Sequence, residues 1–467
     1  MPARPVVGGP AYPVRMSPTP ARVLWIAVLA SFVAFLDGTI VNVALPAIDR
    51  ELGGGLSTQQ WVVDGYLVTL GALILVAGSV SDAFGRALVL RIGLVGFGIA
   101  SIAMALAPDP LILVIARMVQ GAAGAFLVPS SLALITSTFD GPAQSRAIGT
   151  WTSLTTGAMI AGPLIGGLLV DLASWRLAFL INVVPIGITL WLMRDLADPP
   201  RHADARIDLI GAALCVVGFG GLVFGLIEQP NLGWTHPAIL GSLGAGTVLF
   251  LLFLWRQRTA RYPIMPLDVF RVRNFWTGNV ATALIYGALA LNGFVVAIYL
   301  QQGAGLSATL AGLASLPTTI LMILLSSRIG ALSGRWGARG FMTVGPIVMG
   351  IGSLLLLFVA PQFDYWWQVL PSMIVFGLGL SITVSPLTAA ILGAIEPARS
   401  GIASAVNNAV ARVAGLVAVA AIGTIVGGTL DLAGFHRAAI VVAVLMIAGG
   451  VVSWLGIRDR RPASIDR

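Results

Sequence analysis

The chain has 467 residues, 57% of them hydrophobic and only 10% charged, with a formal net charge of +8. That is too little charge to cover the surface of a water-soluble protein of this length, so a soluble enzyme is excluded. All 27 basic residues are arginine; without lysine the chain has neither a P-loop nor a Schiff-base site, which excludes an ATP-driven motor and a retinal protein, and no cofactor is expected.

Residues 1–21 are rich in Pro and Gly and lack a separate apolar core and cleavage site, so they read as a disordered cytosolic tail rather than a signal peptide. From there apolar runs recur, each long enough to cross a hydrocarbon core of about 30 Å as a helix. The fold class is therefore all-α and polytopic, with fourteen spans near 22–44, 59–80, 87–107, 111–134, 147–170, 176–194, 209–228, 236–255, 277–301, 308–330, 340–360, 367–393, 405–428 and 437–457. With the N-terminus placed inside, 22 arginines fall on cytosolic segments and 3 on outer loops, while Arg117 and Arg412 fall within spans. The positive-inside rule then puts both termini in the cytosol, and the net charge needs anionic lipid, not nucleic acid, as its counterpart.

Span one carries the stretch LDGTIVNVALP (36–46). An ionised Asp37 at mid-membrane costs about 2.5–3.5 kcal/mol on insertion scales, so it needs a wet cavity, a partner or a proton. Loss of water favours the protonated form of a carboxyl, which suits a site that loads and unloads protons. A purely structural carboxylate capped by Thr39 or by backbone is the bland alternative. Asn42 either faces the cavity or bonds between helices. Asp64, in QWVVDGYLV of span two, is either a second proton or cation site or an interfacial carboxylate.

GSVSDAFGR (78–86) joins spans two and three, and GALSGRWGA (330–338) follows span ten. Gly78, Ser81 and Gly85 align with Gly330, Ser333 and Gly337 at an offset of eight spans, as two six-helix bundles separated by an inserted pair would produce. The expected organisation is a six-helix bundle at 22–194, an inserted pair at 195–260, a second bundle at 261–457 and a cytosolic tail at 458–467. In the second copy Gly334 and Ala338 stand where the first has Asp82 and Arg86.

In span four Arg117, Gln120, Gly121 and Gly124 fall on one helical stripe. In span five Ala158, Gly162 and Gly166 are spaced by four around Pro163, which removes a backbone donor and bends the helix. Small residues at such spacing allow close helix crossing. The single cysteine, Cys215, reads as packing. The second half has no Asp or Glu within a span. Its polar residues Asn292, Asn407 and Asn408, with Tyr286 and Tyr299, are the candidates for a substrate cavity. His202, His236 and His436 show no metal spacing.

The stretches at 36–46, 78–86, RMVQGAAGA (117–125), GAMIAGPLIGG (157–167) and SWRLAFLINVVPIG (174–187), in this order, resemble the fourteen-span drug:proton antiporter branch of the major facilitator superfamily. PLDVF (266–270) and RVAGLVAVAAIGT (412–424) extend the likeness more loosely. The resemblance implies proton coupling through Asp37 and Arg117. It also implies a cytosolic latch in the loop of Gly78, Asp82, Gly85 and Arg86, and a hinge at Gly162, Pro163 and Gly166. Asp64 departs from the neutral residue usual there. The expected function is a monomeric, proton-coupled exporter of hydrophobic, often cationic, small molecules in a bacterial inner membrane. The alternatives are a dedicated exporter of one metabolite or antibiotic and, from another class, a non-transporting sensor or scaffold.

Overall fold

A computed structural model of the chain describes residues 19–196, 208–260, 265, 267–396 and 399–459. The expected tails, most of the linker around 201–207 and the side chains of Gly78 and Asp82 lie outside the described residues. The described regular structure is entirely helical.

The first half comprises α1 (Pro20–Leu52), α2 (Gly55–Phe84), α3 (Arg86–Ala105), α4 (Pro110–Gly124), α5 (Leu127–Thr138), α6 (Gly141–Leu172), α7 (Arg176–Leu180) and α8 (Val183–Leu192). The pair α9 (Leu209–Leu232) and α10 (Pro237–Thr259) follows. The second half comprises α11 (Arg273–Gln302), α12 (Ala308–Ala314), α13 (Leu316–Trp336), α14 (Arg339–Leu355), α15 (Leu370–Leu392), α16 (Ser400–Ala420), α17 (Ile422–Val426) and α18 (Leu432–Gly456).

Several expected spans are two helices with a break between them, and proline explains three of the breaks. Pro129, Pro185 and Pro317 each lack an N–H, and each ring crowds the carbonyl four residues earlier, at Ala125, Ile181 and Leu313. Those carbonyls fall at or beside the α4/α5, α7/α8 and α12/α13 junctions. Among the described residues twelve helical segments are long and apolar enough to cross a membrane, against the fourteen that the sequence predicts. Outside that set are α2, a 30-residue helix with a polar first turn and Asp64 within it, and the shorter apolar segment Arg176–Leu192, interrupted at the α7/α8 junction.

Small residues set the closest crossings. A Cβ on Gly162 would overlap Thr39 Oγ1, and one on Gly166 would fall 2.8 Å from Val43 Cγ2, so α1 and α6 touch along the Gly162–Gly166 stripe. A Cβ on Gly121 would collide with the Tyr66 carbonyl, which draws α4 onto α2. In the second half α11 packs on α18 and α16, and α14 on α15 and α18. The α9–α10 pair packs on itself and meets α2, α16 and α17, at the seam between the halves.

The two halves are joined by hydrogen bonds at one end. Gln60 Nε2 donates to the Val419 and Ala420 carbonyls (2.8 and 2.9 Å), and Gln301 Nε2 to the Val43 carbonyl (3.1 Å). Asp171 accepts from the Ala308 and Thr309 amides (3.0 and 2.8 Å). Among the described residues no hydrogen bond or ion pair joins the halves at the opposite, arginine-rich end.

Candidate functional site

Asp37 and Arg117 meet in the interior of the first half, 0% and 1% exposed. Arg117 Nη1 donates to Asp37 Oδ2 and to Gln120 Oε1, and its Nε donates to the Val62 carbonyl (2.9 Å). The other carboxylate oxygen, Oδ1, accepts from Gln120 Nε2 (3.0 Å) and Asn182 Nδ2 (2.9 Å). Ser101 Oγ accepts from the same two amides at 3.0 and 3.4 Å. The Tyr66 ring lies 4.2 Å from the Arg117 guanidinium carbon. Of the three ways an interior aspartate is tolerated, this state uses the second: an opposite charge and a full set of donors. Helices α1, α2, α3 and α4 and the α7/α8 junction all contribute.

The α4 stripe explains the arrangement. Arg117 and Gln120 are one turn apart and reach Asp37 from α4, while Gly121 and Gly124 on the same stripe bring α4 close to Tyr66 of α2. Asn182 and Ser101 were not singled out by sequence. Asn182 lies in the quoted 174–187 stretch, whereas Ser101 sits in an apolar run with nothing to mark it.

Asp64 is separate from this cluster. It is fully buried, and neither carboxylate oxygen has a hydrogen-bond partner among the described residues. On α2 it lies one turn from Gln60, which bonds α16, and two turns from Gly71, where an added Cβ would sit 3.7 Å from Arg412 Cβ. It therefore lies on the helix stripe that meets α16.

A cavity of about 490 Å³ lies between the halves, lined among others by Thr39, Asn42, Tyr286, Asn292, Met322 and Phe376. Proline opens the backbone here twice. Pro46 and Pro163 leave the carbonyls of Asn42 and Met159, both in the lining, without their usual helical donors. Asp37 is not in the lining; at about 100° per residue it lies on the opposite face of α1 from Thr39, Asn42 and Val43, which are. Of the six cavity candidates, Asn42, Tyr286 and Asn292 are there, and the other three are elsewhere. Tyr299 is buried and stacked on Phe435 at 4.0 Å between ring centroids. Asn407 donates to Asn279 Oδ1 (3.3 Å) and Thr282 Oγ1 (2.8 Å) inside the second half. Asn408 is exposed and donates to the Ser404 carbonyl of its own helix (3.0 Å). Their shared helix turns these side chains away from the space that α1 and α11 enclose.

Gly85 ends α2 with φ of 100°, a conformation that favours glycine, and Arg86 Nη1 donates to the Ala133 carbonyl (3.1 Å). Asp82, the other charge of this loop, has its side chain outside the described residues. In the second copy of the loop a carboxylate arrives from elsewhere. Asp459 packs over Gly337, whose φ is 90°, and accepts from the Arg339 amide at the start of α14 (3.0 Å). Beyond the membrane-spanning helices, Arg399 donates to both carboxylate oxygens of Asp268 (2.7 and 3.1 Å) and holds that carboxyl below the usual carboxylate range. Among the described residues no group of three or more His, Cys, Asp or Glu is placed to hold a metal ion.

Two helical halves around a central cavity, within a bundle built to span a membrane, form the framework of a solute transporter. The family model of the Major Facilitator Superfamily matches residues 27–419, and the chain belongs to that superfamily. It is 35% identical to the methylenomycin A resistance protein of Bacillus subtilis over 88% of each chain. It is 32% identical to the multidrug resistance protein Stp of Mycobacterium tuberculosis, over 86% of this chain and 75% of that one. The crystal structure of peptide transporter POT in complex with sulfate shares the fold, with a TM-score of 0.69 at 14% identity over 93% of this chain and 94% of that one.

Proposed function

We propose that this transporter is a proton-coupled exporter of hydrophobic, often cationic, small molecules, working by alternating access in a bacterial inner membrane with both termini in the cytosol. It acts as a monomer of fourteen spans, counting α2 and the α7–α8 segment, in two six-helix bundles with α9–α10 inserted between them. The printed names of the relatives, which describe resistance to methylenomycin A and to multiple drugs, support export of toxic compounds. The mixed lining of the cavity, apolar with a few amides and hydroxyls, suits such cargo.

The observation that carries the proton role is the Asp37–Arg117 pair, a charged couple sealed in this state on the side of α1 away from the cavity. With the halves closed at the Gln60 end, Arg117 compensates Asp37. When the bundles rock, water reaches the carboxylate, which then takes a proton and releases the arginine. Gly162, Pro163 and Gly166 give α1 and α6 the close, bent contact on which that motion turns. Asp64, unpartnered at the α2–α16 seam, is a second proton site. One proton moving down a 100 mV potential supplies about 2.3 kcal/mol, enough to hold a gradient of roughly 50-fold without ATP.

A dedicated exporter of one antibiotic is the second reading, favoured by the single-compound names among the relatives. A substrate screen in vesicles with an imposed pH gradient tests both: several unrelated compounds moved by the gradient support the broad exporter, one compound supports the dedicated one, and no flux contradicts both.

A further inference from the structure

The inserted helix pair encloses a second cavity, of about 510 Å³, that is separate from the central one. Its wall is shared by three parts of the molecule. Gly71 comes from α2 of the first half, Cys215 and Phe219 from α9, Phe250 and Leu254 from α10, and the remainder mainly from α11 and α16. Every lining side chain is apolar, from glycine and alanine to phenylalanine and the single cysteine. The volume lies within the range of about 300–1,000 Å³ common to ligand pockets. Its floor is closed: Cys215 is 3% exposed and Leu291 is fully buried. Its side is open, since Val417, also in the lining, is 39% exposed. Phe219, Phe250 and Phe253 form one wall, with ring centroids 4.9 and 6.1 Å apart.

The charge at the end of this cavity identifies its occupant. On α10, Phe250 and Leu254 line the cavity, and Arg258 follows them at the same four-residue spacing. Arg258 is exposed and, among the described residues, has no hydrogen bond or ion pair, whereas its neighbour Arg256 is held by Asp208 at 2.8 Å. Trp255 in the same turn is 64% exposed, as expected for a ring at the membrane–water interface. An apolar slot open to the hydrocarbon, with an unengaged guanidinium at interface height, matches a molecule with an acyl chain and an anionic headgroup.

We propose that the cavity between α9–α10 and the α2–α16 seam binds one acyl chain of an anionic phospholipid, whose phosphate Arg258 holds. The site gives the inserted pair a function: it keeps the seam between the halves filled with a compliant chain while α2 and α16 shift. It does not depend on proton coupling or on the identity of the cargo.

The test uses the full-length protein in phosphatidylcholine nanodiscs doped with phosphatidylglycerol that bears a diazirine on one acyl chain. After photolysis, adducts are mapped by mass spectrometry, with the lipid-facing residues Ile188 and Trp191 of α8 as an internal reference. We expect adducts at Cys215, Phe250 and Val417 several-fold above the reference. Arg258→Gln should lower them several-fold, to the level given by a diazirine phosphatidylcholine. Ala418→Phe, which fills the cavity, should abolish them and leave the reference unchanged. Cavity adducts no greater than the reference, equal labelling by the two lipids, or labelling indifferent to Arg258→Gln would each overturn the proposal. So would displacement of the probe by ethidium but not by excess phosphatidylglycerol, which would make the cavity a cargo site. Arg258 is exposed, so its variant remains informative even if Ala418→Phe does not assemble.

Discussion

The two halves share a helical plan but bury different chemistry. The first half encloses an ion pair, Asp37 and Arg117, satisfied by Gln120, Asn182 and Ser101, and a lone carboxylate at Asp64. Among the described residues, the buried polar groups of the second half are amides and hydroxyls: Asn279 and Thr282 accept from Asn407, and Ser353 bonds the Ala439 carbonyl at 2.9 Å. A neutral cluster holds helices together in one protonation state. An ion pair can do the same and also be switched by a proton, which is why the proposed proton coupling is assigned to the first half.

The sharpest way to break this comparison is to remove one charge. Arg117→Ala leaves Asp37 buried and uncompensated, and should destabilise the protein by about 3–5 kcal/mol. The loss should appear as lower thermal stability in detergent, and as lost transport. The double variant Asp37→Asn with Arg117→Gln should recover most of the stability and none of the proton coupling. Recovery of both would make the pair merely structural.

Gly121→Ala tests whether the cluster needs its close helix approach. The new Cβ meets the Tyr66 carbonyl, so the substitution should cost about 1–3 kcal/mol in thermal stability as α4 moves from α2. In the second half, Asn407→Leu should cost about 1 kcal/mol, leaving the pH dependence of transport unchanged. A shifted pH profile in that variant would mean that the neutral cluster also takes part in coupling.

The smallest effect concerns the exposed pair Asp268–Arg399. Because Asp268 is held below its ordinary range, its stabilising contribution is present above the unfolded value and fades as pH falls through the lower folded one. Asp268→Asn should therefore lower the melting temperature slightly at neutral pH, and by less in acid. Solvent screening keeps the difference small.

How much of this was legible in sequence depended on how local the signal was. Asp37 and Arg117 stood out because charges inside apolar runs are costly, and Gly162, Pro163 and Gly166 because their spacing sets a helix face. The partners Ser101 and Asn182 did not stand out, since uncharged polar residues are common in such helices and only tertiary packing aims them at Asp37. The same limit separates Asn42, Tyr286 and Asn292, which reach the cavity, from Asn407, which faces a neighbouring helix. Asp459 capping α14 was also invisible, because the carboxylate comes from 120 residues along the chain.

The central claim is that Asp37 exchanges a proton as the transporter changes sides, and proton-driven transport in proteoliposomes tests it most directly. With an imposed pH gradient, wild type should move its substrate against the substrate's own gradient. Asp37→Asn, inserted to the same level, should show no gradient-driven transport. Undiminished proton-driven transport by Asp37→Asn would contradict the account.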